Sequence, residues 1–217
     1  MNRIATTAPS GDVLICFAVK EEAEPFLRTT ASQRATILIT GMGEKNAARE
    51  LRKILADFEP KLILTCGFAG GLSPGLASGA VVFFTEDTIL LQSLVAAGAA
   101  PATFHCSKRV ATTAEEKAAL HSVTKAGAIE MESSVIQRIA RENGIASATV
   151  RVISDAADMD LPLDFNLFMT TQFEIDLPKL ILHLLLKPWK IPAMIRLQKT
   201  TRAAAESLSR VLNSLPI

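Results

Sequence analysis

Lys61-Leu-Ile-Leu-Thr-Cys-Gly-Phe-Ala-Gly-Gly71 decides the fold: an apolar run with no charge inside it that ends in glycines. Residues 61–66 read as a buried strand and residues 67–71 as a glycine-rich exit from it. Upstream the period changes. Ala47, Ala48, Leu51, Ile54, Leu55 and Phe58 recur at three- and four-residue spacing among charges, so residues 44–58 form an amphipathic helix that Pro60 stops. Before it, residues 13–19 and 35–40 are short β-branched apolar runs that end at charge or glycine, two more buried strands. Downstream, residues 80–85 follow the turn at 75–79 as a further strand. Then come a short helix at 114–123, a short strand at 126–129, a helix at 132–143 stopped by Gly144, and a strand at 148–153. From 176 to 215 the pattern is helical, with Pro178, Pro188 and Pro192 marking starts and breaks. Strands that alternate with helices imply helices layered on a largely parallel sheet, with ligands beyond the carboxyl ends of the strands.

The chain has 217 residues, 49% hydrophobic and 21% charged, enough for one domain over 1–217 with its own core. Residues 1–11 are expected to be a flexible N-terminal arm and 176–217 a C-terminal helical region. A net charge of +1 gives no footprint for nucleic acid, which is excluded as a partner. Cys16, Cys66 and Cys106 are far apart and include no CxxC pair, so no metal site and no disulfide framework are expected, and a cytoplasmic location fits. The start of the chain lacks the apolar core of a signal peptide, and the longest apolar run, 180–186, is interrupted by His183 and followed by Lys187 and Pro188.

Carboxylates collect at the strand ends. In Ala18-Val-Lys-Glu-Glu-Ala-Glu24 a strand stops among Glu21, Glu22 and Glu24, which either dress the positive end of a helix or face a pocket. The glycines of Cys66-Gly-Phe-Ala-Gly-Gly71 serve a tight turn or the close approach of backbone amides to a ligand, with Phe68, Ala69 and Gly70 as contacts. Gly41 and Gly43, before the helix at 44–58, are the candidates for phosphate. In Ile129-Glu-Met-Glu-Ser-Ser134 and Val152-Ile-Ser-Asp155 the carboxylates end apolar stretches, and buried carboxylates need partners or a function. A carboxylate pair suits adjacent sugar hydroxyls.

Taken in order, these motifs resemble the purine nucleoside phosphorylase and methylthioadenosine/S-adenosylhomocysteine nucleosidase superfamily. The resemblance covers residues 13–158: Ala18 to Glu22, Gly41 to Gly43, Gly67 to Gly71, Met131-Glu132 and Ser154-Asp155. It implies a three-layer αβα phosphorylase/hydrolase-like α/β fold around a central mixed, mostly parallel sheet, and a homo-oligomer. It also implies an enzyme that cleaves the N-glycosidic bond of a small-molecule purine nucleoside and releases adenine. No cofactor is implied; inorganic phosphate or water is the co-substrate. Carried over by residue, Asp155 acts on purine N7 and Ser154 orients it; Glu132 holds the ribose hydroxyls with Glu130 assisting, and Met131 packs under the sugar. Glu22 activates water, and Phe165 lies near the 5′-substituent. Fixed negative charge then favours the oxocarbenium-like transition state over the ground state.

Two departures keep other readings open. Phe68 stands where the family has a serine, and the arginines that hold phosphate in phosphorylases have no certain counterpart, Lys20, Lys45, Lys108 and Arg109 being candidates. A non-catalytic nucleoside-binding module is the rival. Leu161-Pro162, Asp176-Leu-Pro178, Lys187-Pro188, Ile195-Arg-Leu and Ser107-Lys-Arg-Val110 resemble hopanoid-associated phosphorylases, which implies phosphorolysis of a lipid-linked adenosine, adenosylhopane. Hydrolysis is the alternative. Leu180, Ile181, Leu184, Leu185, Trp189, Ile191 and Met194, beside Lys187, Lys190 and Arg196, either cover the sheet or make a peripheral membrane contact.

Overall fold

The computed structural model describes residues 11–216, so the expected N-terminal arm falls outside it apart from Gly11. The elements run β1 (Val13–Phe17), α1 (Lys20–Leu27), β2 (Thr36–Ile39), α2 (Glu44–Leu55), β3 (Leu62–Gly71), β4 (Val81–Thr85), α3 (Thr88–Ala96), β5 (Ala100–Pro101), β6 (Phe104–Cys106) and α4 (Ala114–Thr124). They continue with β7 (Ala128–Glu130), α5 (Ser133–Glu142), β8 (Ala146–Asp155), α6 (Leu177–Leu186) and α7 (Ile191–Ser214).

The sheet order is β2-β1-β3-β8-β4-β5, with β7 joined to β3 and β6 to β7. Pairing is parallel except at β3–β7 and β4–β8, which makes the expected mixed, mostly parallel sheet. Alternation along β1 shows why both faces are covered. Leu14 and Cys16 join Leu51, Ile136 and Ile139 of α2 and α5 in one apolar cluster, whereas Ile15 and Phe17 join Phe26 of α1 and Leu208 and Leu212 of α7 in another. Helices therefore lie on both faces and the molecule has three layers.

The glycine stretch corrects the sequence reading. Residues 67–71 are not an exit turn; β3 continues to Gly71 because β8 runs beside it from Leu62↔Ala146 to Gly70↔Asp155. The register slips once. Ile153 faces Ala69 and Asp155 faces Gly70, which leaves Ser154 as the extra residue of a bulge on β8. Strict alternation would send the Asp155 side chain to the face of Arg151 and Ile153, and the extra residue turns it to the other.

Between β4 and α4 the sequence pattern marks no element, yet the chain forms α3, β5 and β6. In α3 only Leu94 is buried while Ile89, Leu91 and Val95 are exposed, so its apolar residues show no one-sided period. Its start is set locally, by the Asp87 side chain accepting hydrogen bonds from the N–H groups of Ile89 and Leu90.

Candidate active site

The ends of β1, β3, β7 and β8 converge on a cavity of about 290 Å³, near the lower bound of the about 300–1,000 Å³ common for small-molecule sites. Glu22 lies on its floor. As the third residue of α1 it reaches back to cap the helix, Oε2 accepting from the N–H groups of Ala18 (3.0 Å) and Val19 (3.2 Å). Oε1 accepts from the Phe68 N–H at 2.8 Å, which ties α1 to β3. The two readings of this carboxylate, helix dressing and pocket group, are thus both true of one side chain. Burial raises the Glu22 pKa, against the pull of Arg151 and the three backbone donors. A carboxylate with a raised pKa is a better base toward water.

Arg151 organises the charges, and no motif pointed to it. It stands in β8 opposite Gly67 and is fully buried. Nη1 donates to the Cys66 carbonyl at 2.9 Å; Nη2 lies 3.1 Å from Thr65 Oγ1, 2.6 Å from Glu130 Oε2 and 3.4 Å from Glu132 Oε2. Gly67 makes room for this. A Cβ there would lie 2.6 Å from Arg151 Nη1 and 2.6 Å from Glu22 Oε1. The signal in the sequence was a lone guanidinium inside the otherwise uncharged strand, which burial makes costly unless it has partners.

Glu130 and Glu132 flank Met131 but have different surroundings. Glu130 Oε2 accepts from Arg151 and from the N–H groups of Glu132 (3.0 Å) and Ser133 (2.8 Å), and Oε1 from the Ser133 hydroxyl at 2.7 Å. Burial acts to raise its pKa, and Arg151 with these donors outweighs burial and holds it below the ordinary value. Four protein donors, Arg151 among them, hold Glu130, so it buttresses the site more than it reaches for a ligand, whereas Glu22 Oε1 has a single donor and keeps a lone pair. Glu132 accepts one bond from the Gly43 N–H at 2.8 Å and has Arg151 only at the longer distance. Burial and the nearby Glu130 push it up to about 7, despite Arg151. It keeps acceptor capacity on Oε2 for a ligand.

Asp155 ends β8 and also lines the cavity. The Ser154 hydroxyl lies 2.5 Å from its Oδ1. Lys117 of α4, buried completely, sits 2.5 Å from Oδ2. The ammonium directs its aligned hydrogen bonds to the carbonyls of Ala156 (2.9 Å) and Met159 (2.8 Å), so Oδ2 has the charge beside it but no aligned donor on it. Nothing in the sequence marks Lys117, which follows Glu115 and Glu116 on a helix and looks like a solvated residue.

Met131, Phe68, Ala69, Gly70 and Phe165 all line the cavity, with Leu197 and Thr201 of α7 closing it. Of the four candidate phosphate cations, Arg109 lines it, in an ion pair with Glu116 at 3.1 Å. Lys45 and Lys108 line a separate cavity of about 70 Å³ that also touches Gly43. The Gly43 N–H is engaged by Glu132, and neither Gly41 nor Gly43 borders the larger cavity. The structure thus brings Glu22, Glu132, Asp155 and Ser154 together and leaves the two glycines outside.

The sequence profile described as the phosphorylase superfamily matches residues 12–105 and 99–186. Among curated proteins, the 5′-methylthioadenosine/S-adenosylhomocysteine nucleosidase of Actinobacillus succinogenes is 27% identical over 170 residues, covering 61% of this chain and 73% of the relative. The protein of the same description from Marinomonas is 27% identical over 177 residues, 64% and 75% of the two chains. Among solved structures, futalosine hydrolase of Helicobacter pylori superposes with a TM-score of 0.66 at 16% identity over 94% of this chain and 98% of the other. The Neisseria meningitidis 5′-methylthioadenosine/S-adenosylhomocysteine nucleosidase in complex with methylthio-immucillin-A gives 0.65 at 20% identity over 94% and 99%.

Proposed function

The chain belongs to the phosphorylase superfamily, and from that premise we propose that it cleaves the N-glycosidic bond of an adenine nucleoside, with water as the acceptor. The observation that carries this reading is Glu22, a buried carboxylate of raised pKa in the cavity that Asp155 also lines. Adenine binds at Asp155, whose carboxyl faces N7 while Ser154 and Lys117 fix its plane. Ribose lies on Met131 with its hydroxyls at Glu132. As the bond from C1′ to N9 breaks, the electron pair leaves with adenine and the sugar gains positive charge, which the carboxylates of the cavity favour over the neutral ground state. Glu22 takes the proton of the attacking water.

Phosphorolysis, the reaction the tail resemblance implies, is the second reading, and Arg109 in the cavity lining favours it. Against it stand the three carboxylates, Glu22, Glu130 and Glu132, that a phosphate would meet there, and the engagement of Arg151 by protein groups. A lipid-linked adenosine of the adenosylhopane kind belongs to this proposal as a candidate substrate, supported by the apolar wall at Leu161, Phe165 and Leu197.

One assay tests the reaction and the acceptor: adenine release from 5′-substituted adenosines with and without inorganic phosphate. Equal release in both is the expected result. Release only with phosphate establishes the second reading, and tight binding of adenosine analogues without release in either makes the protein a nucleoside-binding module.

A further inference from the structure

The C-terminal region carries an apolar surface that no part of the described chain covers. No residue of α6 is buried, and Leu177, Ile181, Leu182, Leu185 and Leu186 stand 57–71% exposed. Four-residue spacing puts them on one broad face, which Trp189, Ile191 and Ile195 extend across the break into α7. The opposite side holds α6 to the body: the His183 ring meets Phe168 edge-on at 5.1 Å between centroids, and Lys179 Nζ donates to the Leu167 carbonyl at 2.7 Å. A helix on a soluble surface presents the reverse, its apolar stripe inward. The charges are as one-sided as the apolar residues. From Leu177 to Ala205 the chain has Lys179, Lys187, Lys190, Arg196, Lys199 and Arg202 and no aspartate or glutamate.

We propose that α6 and the start of α7 dock flat on an anionic membrane surface. Leucines, isoleucines and tryptophan enter the boundary between head groups and acyl chains, while the flanking lysines and arginines meet the anionic head groups. The ten residues of α6 extend ~15 Å at 1.5 Å per residue, half the ~30 Å of a hydrocarbon core, so the element lies in the plane. No helix among the described residues is long and apolar enough to cross a membrane. Charge decides against a second copy of the chain as the occupant. A two-fold interface sets one patch against itself, and here that would bring cations against cations with no acid in the stretch to pair them. Anionic lipid complements both properties at once. Docking does not depend on the proposed reaction; taken with it, an apolar substituent that leaves the cavity past Leu197 meets the docked face, because Leu197 belongs to α7.

Trp189 is the only tryptophan of the chain and is 68% exposed, so its emission reports this face alone. Full-length protein is titrated with vesicles of phosphatidylcholine alone and with phosphatidylglycerol added. The expected result is a blue shift and co-sedimentation with the anionic vesicles only, a binding constant that falls about fivefold for each of Lys187→Gln and Lys190→Gln, and loss of both signals in Leu185→Glu with an unchanged far-ultraviolet spectrum. No shift with anionic vesicles overturns the proposal. A blue shift that grows with protein concentration in the absence of vesicles, and disappears in Leu185→Glu, overturns it in favour of a dimer. Adenine release from a soluble nucleoside, followed in the same variants, is expected to stay at the wild-type rate. Failure of docking and failure of the proposed reaction are therefore read separately.

Discussion

In the proposed reaction the chemistry turns on Asp155, whose two supports act differently: Ser154 sets the direction of one oxygen, and Lys117 places a buried positive charge beside the other. Replacing the carboxylate by an amide keeps the shape and removes the acid–base group. Asp155→Asn is therefore expected to lower kcat by about 10²- to 10⁴-fold, the usual size of a general acid–base contribution, with the fold retained by circular dichroism. Wild-type turnover in that variant would remove Asp155 from the mechanism. Glu132 and Asp155 were legible in the sequence because they end apolar stretches, whereas Glu22 was singled out only by the family resemblance, since glutamates at 21, 22 and 24 equally suit the start of a helix. Arg151 was legible only in principle, as a charge inside such a strand. Lys117 was not, since its helix places it among glutamates and only the fold brings α4 against the end of β8.

At the scale of elements, the β3–β8 pair explains both the success and the error of the sequence reading. Apolar runs at 61–66 and 148–153 marked the two strands, yet each is 10 residues long, and β3 continues into what composition suggested was a turn. Glycine in a sequence does not distinguish a bend from clearance for a neighbour. At Gly67 it is clearance: φ is +147°, and an added methyl would strike Arg151 Nη1 and Glu22 Oε1 at 2.6 Å each. Because both groups are buried and held by several partners, neither can yield cheaply. We expect Gly67→Ala to destabilise the protein by about 1–3 kcal/mol, the usual cost of overpacking, and to cut turnover through displacement of Glu22. A denaturation midpoint and an adenine-release rate check the two effects, and an unchanged rate would show that Glu22 does not need its present position. The α6 helix, in contrast, was legible as helix but not as to which side faces the body, because leucine lies on both sides.

The whole molecule feels the buried carboxylates through pH. Glu132, raised to about 7, binds its proton more tightly folded than unfolded, so the stability it contributes is full below the ordinary glutamate range and is lost as pH rises through about 7. Glu22 is raised by burial and acts in the same sense. Glu130 is lowered, so its contribution is lost only as pH falls below the ordinary range and does not offset the other two near neutrality. The denaturant midpoint is expected to be lower at pH 8 than at pH 5.5, with Glu132→Gln reducing the difference; a midpoint that rises over this interval would contradict the burial of these groups. The three layers were legible because strand and helix periods alternate along the chain, whereas the antiparallel placement of β4 and β7 was not, since apolar patterning carries no strand direction. The bulge at Ser154 has a last consequence, for how this gene can change. The loss of a single codon between Arg151 and Asp155 would leave a strand of nearly the same composition, able to pair in a continuous register. Asp155 would still meet Gly70 and keep its side of the sheet, so in-frame loss of Ser154 should leave the carboxylate in place and remove only the hydroxyl that orients it.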